Sequence, residues 1–264
     1  MAVQHTDQSV PIPRLYFRGI SVKFGGLTAL DAVTFAVPAG AVVGIIGPNG
    51  AGKTTLFNVV CGFNTPASGS LELDGAAFRP SPHRLIHHGV SRTLQGLGLF
   101  SGLTVLENVL LGLEGTARHG ALADGLALPR SRRGEAQLRN RALQALDGLG
   151  IAGHAAALPD TLPYGVRKKV ALARALAGSP RLLLLDEPAG GLAHEDIDEL
   201  AEIIRTIGAT GCSVVLVEHH VDLVMSVCER IAVLDFGKLI AEGTPAEIGA
   251  NPAVTDAYLG VEPV

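Results

Sequence analysis

The stretch Gly47, Pro48, Asn49, Gly50, Ala51, Gly52, Lys53, Thr54 follows an aliphatic run ending at Ile46 and precedes the apolar positions Leu56, Phe57, Val59 and Val60. It fits the pattern G-x-x-x-x-G-K-S/T, and a strand before it with a helix after it is the context that pattern requires. Glycines allow successive backbone N–H groups to turn toward a single anion, and the start of a helix adds partial positive charge. Lys53 is placed for the β- and γ-phosphates of a nucleotide, the Thr54 hydroxyl for Mg²⁺, and Thr55 continues the helix start. A Gly-rich turn with no ligand is the alternative, but it needs neither the Lys nor the hydroxyl. The loop therefore predicts an α/β fold that binds nucleotide.

The rest of the chain reads as that fold. Leu15 to Phe24, Val33 to Val37 and Ala41 to Ile46 have strand character, and Asp74-Gly75 after Leu71 to Leu73 predicts a hairpin. From Thr104 the pattern turns helical. Gly115 to Arg133 shows no clear period, and a helix is predicted from Glu135 to Leu149. Beyond it, the strands Leu182 to Leu185, Ser213 to Val217 and Ile231 to Leu234 alternate with helices at Glu195 to Ile207 and Val221 to Cys228, the rhythm of a parallel sheet.

Composition excludes several classes. With 47% hydrophobic, 4% aromatic and 17% charged residues in 264, the chain predicts one aliphatic globular domain. A net charge of −4 gives no reason to expect a nucleic-acid partner. Apolar runs such as Val214 to Val217 are far shorter than the ~20 residues that cross a bilayer. Gln4, His5, Asp7 and Gln8 stand where an export signal needs basic and then apolar residues, so no export is expected. Cys61, Cys212 and Cys228 lie apart among apolar neighbours and predict buried thiols rather than disulfides.

Leu182 to Leu185 delivers Asp186 and Glu187 at a strand's carboxyl end, where ligands bind in open α/β sheets. Either acid alone reads as a solvated strand end. Downstream of a phosphate loop, Asp186 is placed to hold Mg²⁺ through water, and Glu187 to orient and deprotonate the attacking water.

Together with Leu162, Pro163, Tyr164, Gly165 and Val166, a Gly-containing loop opening the helix to Leu176, these markers resemble the ABC ATPase family. The resemblance implies a RecA-like α/β core with an antiparallel β subdomain (14–96 and 178–264) and a helical subdomain (97–177). It implies that Gln95 senses metal and water, that His219 meets the γ-phosphate, and that Phe24 stacks on adenine. Alone, Gln95 reads as a solvated loop residue, His219 as a surface or core histidine, and Phe24 as strand core. Glu218, His219 and His220 also raise a metal site, but adjacent residues at a strand end are not expected to converge on one cation.

The segment Ser91 to Asn108, the long insert after it and the ending from Glu242 to Gly260 are similar to the larger ATPase subunit of branched-chain amino-acid importers. The resemblance implies ATP and Mg²⁺, a second ATPase subunit whose signature segment closes over this chain's ATP, two transmembrane permeases, an extracytoplasmic binding protein acting indirectly, and a place on the cytoplasmic membrane face. Rival readings are the ATPase of a lipopolysaccharide exporter, a soluble ABC protein that remodels nucleic-acid complexes, and a P-loop kinase or GTPase acting alone.

Two departures matter. The family's signature reads Leu-Ser-Gly-Gly-Gln, so Pro163 removes a hydroxyl and Val166 a polar side chain, and Leu192-Ala193-His194 replaces the usual Leu, Asn or Asp, then Pro. Arg167, Lys168 and Lys169 oppose the dipole of the helix they open, and read equally as a polyphosphate attractor or a solvated face. The apolar stretch Leu97 to Phe100 after Gln95 is expected to help form a groove for a membrane-subunit helix.

Overall fold

The computed structural model describes residues 11–93, 96–113 and 129–259. Gln95, most of the stretch Gly115 to Arg133, and Gly260 lie outside the described residues. The described chain forms two sheets flanked by helices. Strands β1 (Leu15–Phe24), β2 (Leu27–Val37), β4 (Ser68–Leu73) and β5 (Ala76–Phe78) make an antiparallel sheet in the order β2-β1-β4-β5. The second sheet is ordered β10-β9-β3-β8-β7-β6, from β3 (Val42–Ile46), β6 (Val90–Arg92), β7 (Leu182–Asp186), β8 (Ser213–Val217), β9 (Arg230–Asp235) and β10 (Lys238–Gly243). It is parallel except for β10, which turns back antiparallel to β9.

The helices are α1 (Lys53–Val60), α2 (Val105–Leu111), α3 (Pro129–Asp147), α4 (Tyr164–Leu176), α5 (His194–Ala209), α6 (Val221–Val227), α7 (Pro245–Gly249) and α8 (Pro252–Leu259). A 3₁₀ segment, Pro82–His88, leads into β6.

Side chains of the central strands are buried on both faces, which explains their unbroken aliphatic runs. In β7, Leu183 and Leu185 join one core with α2, α4 and α5, while Leu182 and Leu184 join a second core with α1 and the antiparallel sheet. The period-two alternation of a strand thus glues two layers onto one sheet. In the second core Phe17 and Phe35 stack across β1 and β2 with ring centroids 4.4 Å apart.

Several boundaries differ from the sequence reading. The strand expected at Val33 begins at Leu27, where alternate residues face solvent and break the apolar run. The helix expected from Glu135 begins at Pro129, a residue suited to a first helical turn, and ends at Asp147. β6, β10, α7 and α8 were not anticipated. β6 has only three residues, and β10 is a half-exposed edge strand whose apolar run, Leu239 to Ala241, is short and flanked by Lys238 and Glu242. The three cysteines are free and buried, as expected.

Candidate nucleotide site

The loop from Gly47 to Gly52 links the end of β3 to α1, at the edge of the sheet where the parallel strands end. Its geometry demands glycine. Gly47 has φ +150°, and a Cβ there would lie 2.0 Å from the carbonyl oxygen of Leu234. Gly52, at φ +99°, would drive a Cβ to 2.7 Å from the carbonyl oxygen of Ala29. Lys53 is buried, and its ammonium donates to the carbonyls of Gly47 at 2.7 Å and Pro48 at 2.9 Å. Burial lowers the Lys53 pKa, against the opposing pull of the Glu187 charge.

A cleft of about 400 Å³ opens over this loop, lined by Asn49, Gly50, Ala51, Gly52, Lys53, Thr54 and Thr55 together with Phe24, Glu187 and Phe236. Phe24 is 52% exposed although large and apolar, so it is not the strand-core residue of the alternative reading. Glu187 follows β7 at φ +47°, an uncommon conformation for a residue with a side chain. Its N–H donates to the carbonyl of Val217 on β8 at 2.9 Å. Asp186, the last residue of β7, is 5% exposed. Burial raises its pKa, the Arg92 guanidinium pulls it back down, and the charges of Glu187 and Glu218 push it up again.

His219 stands just past the end of β8, the strand beside β7, and is not among the residues lining the cleft. Leu162, Pro163, Tyr164, Gly165 and Val166 open α4 away from the cleft. Gly165 faces α5, where a Cβ would meet the Asp196 carboxylate at 2.9 Å. The structure therefore brings Phe24, the loop and Glu187 into one cavity, and leaves the α4 segment outside it.

The expectation that Glu218, His219 and His220 could not converge is corrected, because one ligand atom from each lies within 4.8 Å of the others. The two imidazole rings pack 4.7 Å apart. The carboxylate, however, is already engaged: Glu218 accepts from the N–H of Ala189 at 2.7 Å, His219 at 3.0 Å and His220 at 3.2 Å.

The model for the family described as ABC transporter matches residues 30–190 of the chain. The chain belongs to that family. A second model, described as branched-chain amino acid ATP-binding cassette transporter, matches residues 238–264. The cassette is 38% identical over 250 residues to the high-affinity branched-chain amino acid transport ATP-binding protein BraF of Pseudomonas aeruginosa, covering 94% of this chain and 98% of the relative. It is 36% identical to LivG of Escherichia coli, which carries the same description, with the same coverage. Among solved structures it is similar to MJ1267, an ATP-binding cassette of an ABC transporter in its ADP conformation, with 29% identity, a TM-score of 0.81, and coverage of 96% of this chain and 100% of that one. Like its family, the cassette is an ATPase.

Two residues of the cassette's site, Glu218 and Lys168, make contacts there that no motif announces. Glu218, fully buried, ties the turn after Glu187 to the backbone of His219 through the three bonds above. Its place between an aliphatic strand and His219 was the only available signal. Lys168 donates to the Glu187 carbonyl at 3.4 Å, and burial lowers its pKa against the pull of Glu218 and Glu187. Lys169 pairs with Glu199 and Arg167 with Asp160, while Arg167 and Lys168 both lie over the Tyr164 ring. The basic cluster is thus bound within the chain rather than simply solvated.

Proposed function

We propose that this cassette is the ATP-hydrolysing motor of an importer for branched-chain or other hydrophobic amino acids or related small molecules. The carrying observation is the cleft that gathers Phe24, the loop from Asn49 to Thr55 and Glu187 in one cavity. The similarity to BraF and LivG, both branched-chain amino acid transport ATP-binding proteins, and the match at residues 238–264 support the substrate class.

In this reading Phe24 stacks on adenine and the loop's N–H groups together with Lys53 hold the phosphates. Glu187 takes a proton as water attacks the γ-phosphorus, and the bond to the β-phosphate oxygen breaks with its electron pair leaving on ADP. His219 and Gln95 assist at the γ-phosphate and the water. The Thr54 hydroxyl and the Asp186 carboxylate are hard oxygen donors, the set that suits Mg²⁺, and would hold it. Mg²⁺ would there neutralise charge on the β- and γ-phosphates.

The α4 segment from Leu162 to Val166, turned away from this chain's own cleft, serves the ATP of a second ATPase subunit. ATP then favours the closed pair and hydrolysis releases it. Among the described residues no helix is long and apolar enough to cross a membrane, so permease partners provide the path. Phe100, 57% exposed, is the docking point for one of their cytoplasmic helices. Its loop is preset for that role. The buried Asn108 side chain accepts from the Phe100 N–H at 2.8 Å and donates to the carbonyls of Phe100, Leu103 and Thr104, each at 3.0 Å, while Arg174 holds the carbonyls of Leu97 and Gly98. Leu99, by contrast, packs on the core.

The test is reconstitution of the cassette with its co-expressed permeases, second ATPase and binding protein in vesicles. Uptake of labelled leucine that requires ATP on the cassette side, and that Glu187→Gln abolishes, supports the reading. Uptake that persists with Glu187→Gln, or ATP-driven movement of lipopolysaccharide instead, overturns it.

A further inference from the structure

Arg92 sits at the end of the edge strand β6, where backbone pairing with β7 needs no particular side chain. Its side chain is nevertheless only 15% exposed, with Nη2 3.4 Å from Asp186 Oδ2. Its Nε donates to the carbonyl of Thr93 at 3.3 Å, and the Thr93 hydroxyl accepts from the Asp186 N–H at 3.3 Å. The last residue of one short strand and the residue just past it therefore grip Asp186 by its side chain and by its backbone.

The guanidinium also packs over two aromatic rings. Its central carbon lies 5.5 Å from the ring centroid of Phe57 in α1 and 5.5 Å from that of Phe63, just past the same helix. Phe63 is 58% exposed, an unfavourable place for a ring unless it covers something. A planar cation packed over two aromatic rings is held in position and tilt in a way that a flexible lysine ammonium is not. One side chain thus links the helix that continues the phosphate loop to the carboxylate at the end of β7.

We infer that Arg92 is a positioning residue for Asp186, fixing the rotation of the carboxylate that holds the divalent metal. The inference rests on the reading of Asp186 as a metal-holding residue. It gives Phe63 a role as well: the exposed ring is the outer wall that keeps the guanidinium in register.

The experiment uses the purified full chain with ATP and Mn²⁺ as the spectroscopic substitute for Mg²⁺. Retention of Mn²⁺ is read by electron paramagnetic resonance, metal-free ATP affinity by a fluorescent nucleotide, and folding by thermal melting. Arg92→Met should weaken Mn²⁺ retention by about 10- to 100-fold, the usual cost of losing an outer partner of a metal-holding carboxylate. Metal-free ATP affinity should stay within about twofold, and Arg92→Lys should fall between the two. Phe63→Ala, at an exposed position, should shift Mn²⁺ retention in the same direction by a smaller factor, and it decides the matter if Arg92→Met does not fold. A folded Arg92→Met that holds Mn²⁺ like the parent, or that loses ATP affinity equally with and without metal, overturns the inference. Asp186→Asn separates the two layers: if it retains Mn²⁺ like the parent, the reading of Asp186 itself fails, whereas loss there with an unaffected Arg92→Met refutes only the role of Arg92.

Discussion

Replacing Glu218 with Gln changes one atom in a fully buried side chain, and the structure fixes what that change must do. One carboxylate oxygen accepts from the Ala189 N–H at 2.7 Å, and the other from the N–H groups of His219 at 3.0 Å and His220 at 3.2 Å. An amide can offer its oxygen to only one of these two sides. If the oxygen keeps the two histidine N–H groups, the amide nitrogen faces the N–H of Ala189, donor against donor. That removes one charge-assisted bond, about 1.5–3 kcal/mol, and strands a buried donor at about 1–3 kcal/mol more. The expected loss is about 4 kcal/mol, which for a chain of this size lowers Tm by roughly 8–16 °C. Function should suffer beyond stability, because Ala189 lies two residues past Glu187 and the same carboxylate orients the backbone of His219. Thermal melting and ATP turnover, measured well below the melting point, check both parts. A Glu218→Gln protein that melts within about 2 °C of the parent would refute the reasoning, since it would show that the three bonds contribute no net stability.

Glu187→Gln should keep ATP binding but slow turnover by about 10²–10⁴-fold, checked by single-turnover hydrolysis beside nucleotide affinity. Phe100→Asp should leave the ATPase activity of the isolated cassette intact while the chain no longer co-sediments with membranes carrying its permeases; unfolding would instead place Phe100 in the core. Burial raises the Cys212 thiol from 9.0 to about 11, so less of it is thiolate at any working pH. At pH 8 its alkylation should run about 100-fold slower than in the urea-unfolded chain, and equal rates would show that the native thiol is open to solvent.

What could be read from the sequence was whatever a local pattern encodes. The loop from Gly47 to Thr54 is legible because a phosphate cradle needs backbone conformations that glycine alone adopts easily, and Asp186-Glu187 because a continuous aliphatic strand points to its own end. The helix start at Pro129 escaped notice because the basic stretch after it carries no apolar period. Arg92 and Glu218 escaped for a different reason. Their importance lies in partners 94 and 29 positions away, Asp186 and Ala189, and no spacing within one element announces such a contact. The convergence of Glu218, His219 and His220 is hidden in the sequence because adjacent residues diverge along a strand, whereas β8 ends at Val217 and all three residues stand beyond it.

The order of strands also dictates when the phosphate cradle can exist during synthesis. β3, which carries the loop, has just two neighbours in its sheet, β8 and β9. Both come late. Once Ile46 has been made, roughly 170 further residues must be added before β8 is complete, which at 5–20 residues per second takes on the order of 10–30 s. The antiparallel sheet, by contrast, is complete once Phe78 has emerged. For most of its time on the ribosome the nascent chain therefore carries an aliphatic strand, Val42 to Ile46, with no edge to pair with, and any truncation before β8 leaves that strand as bait for other chains.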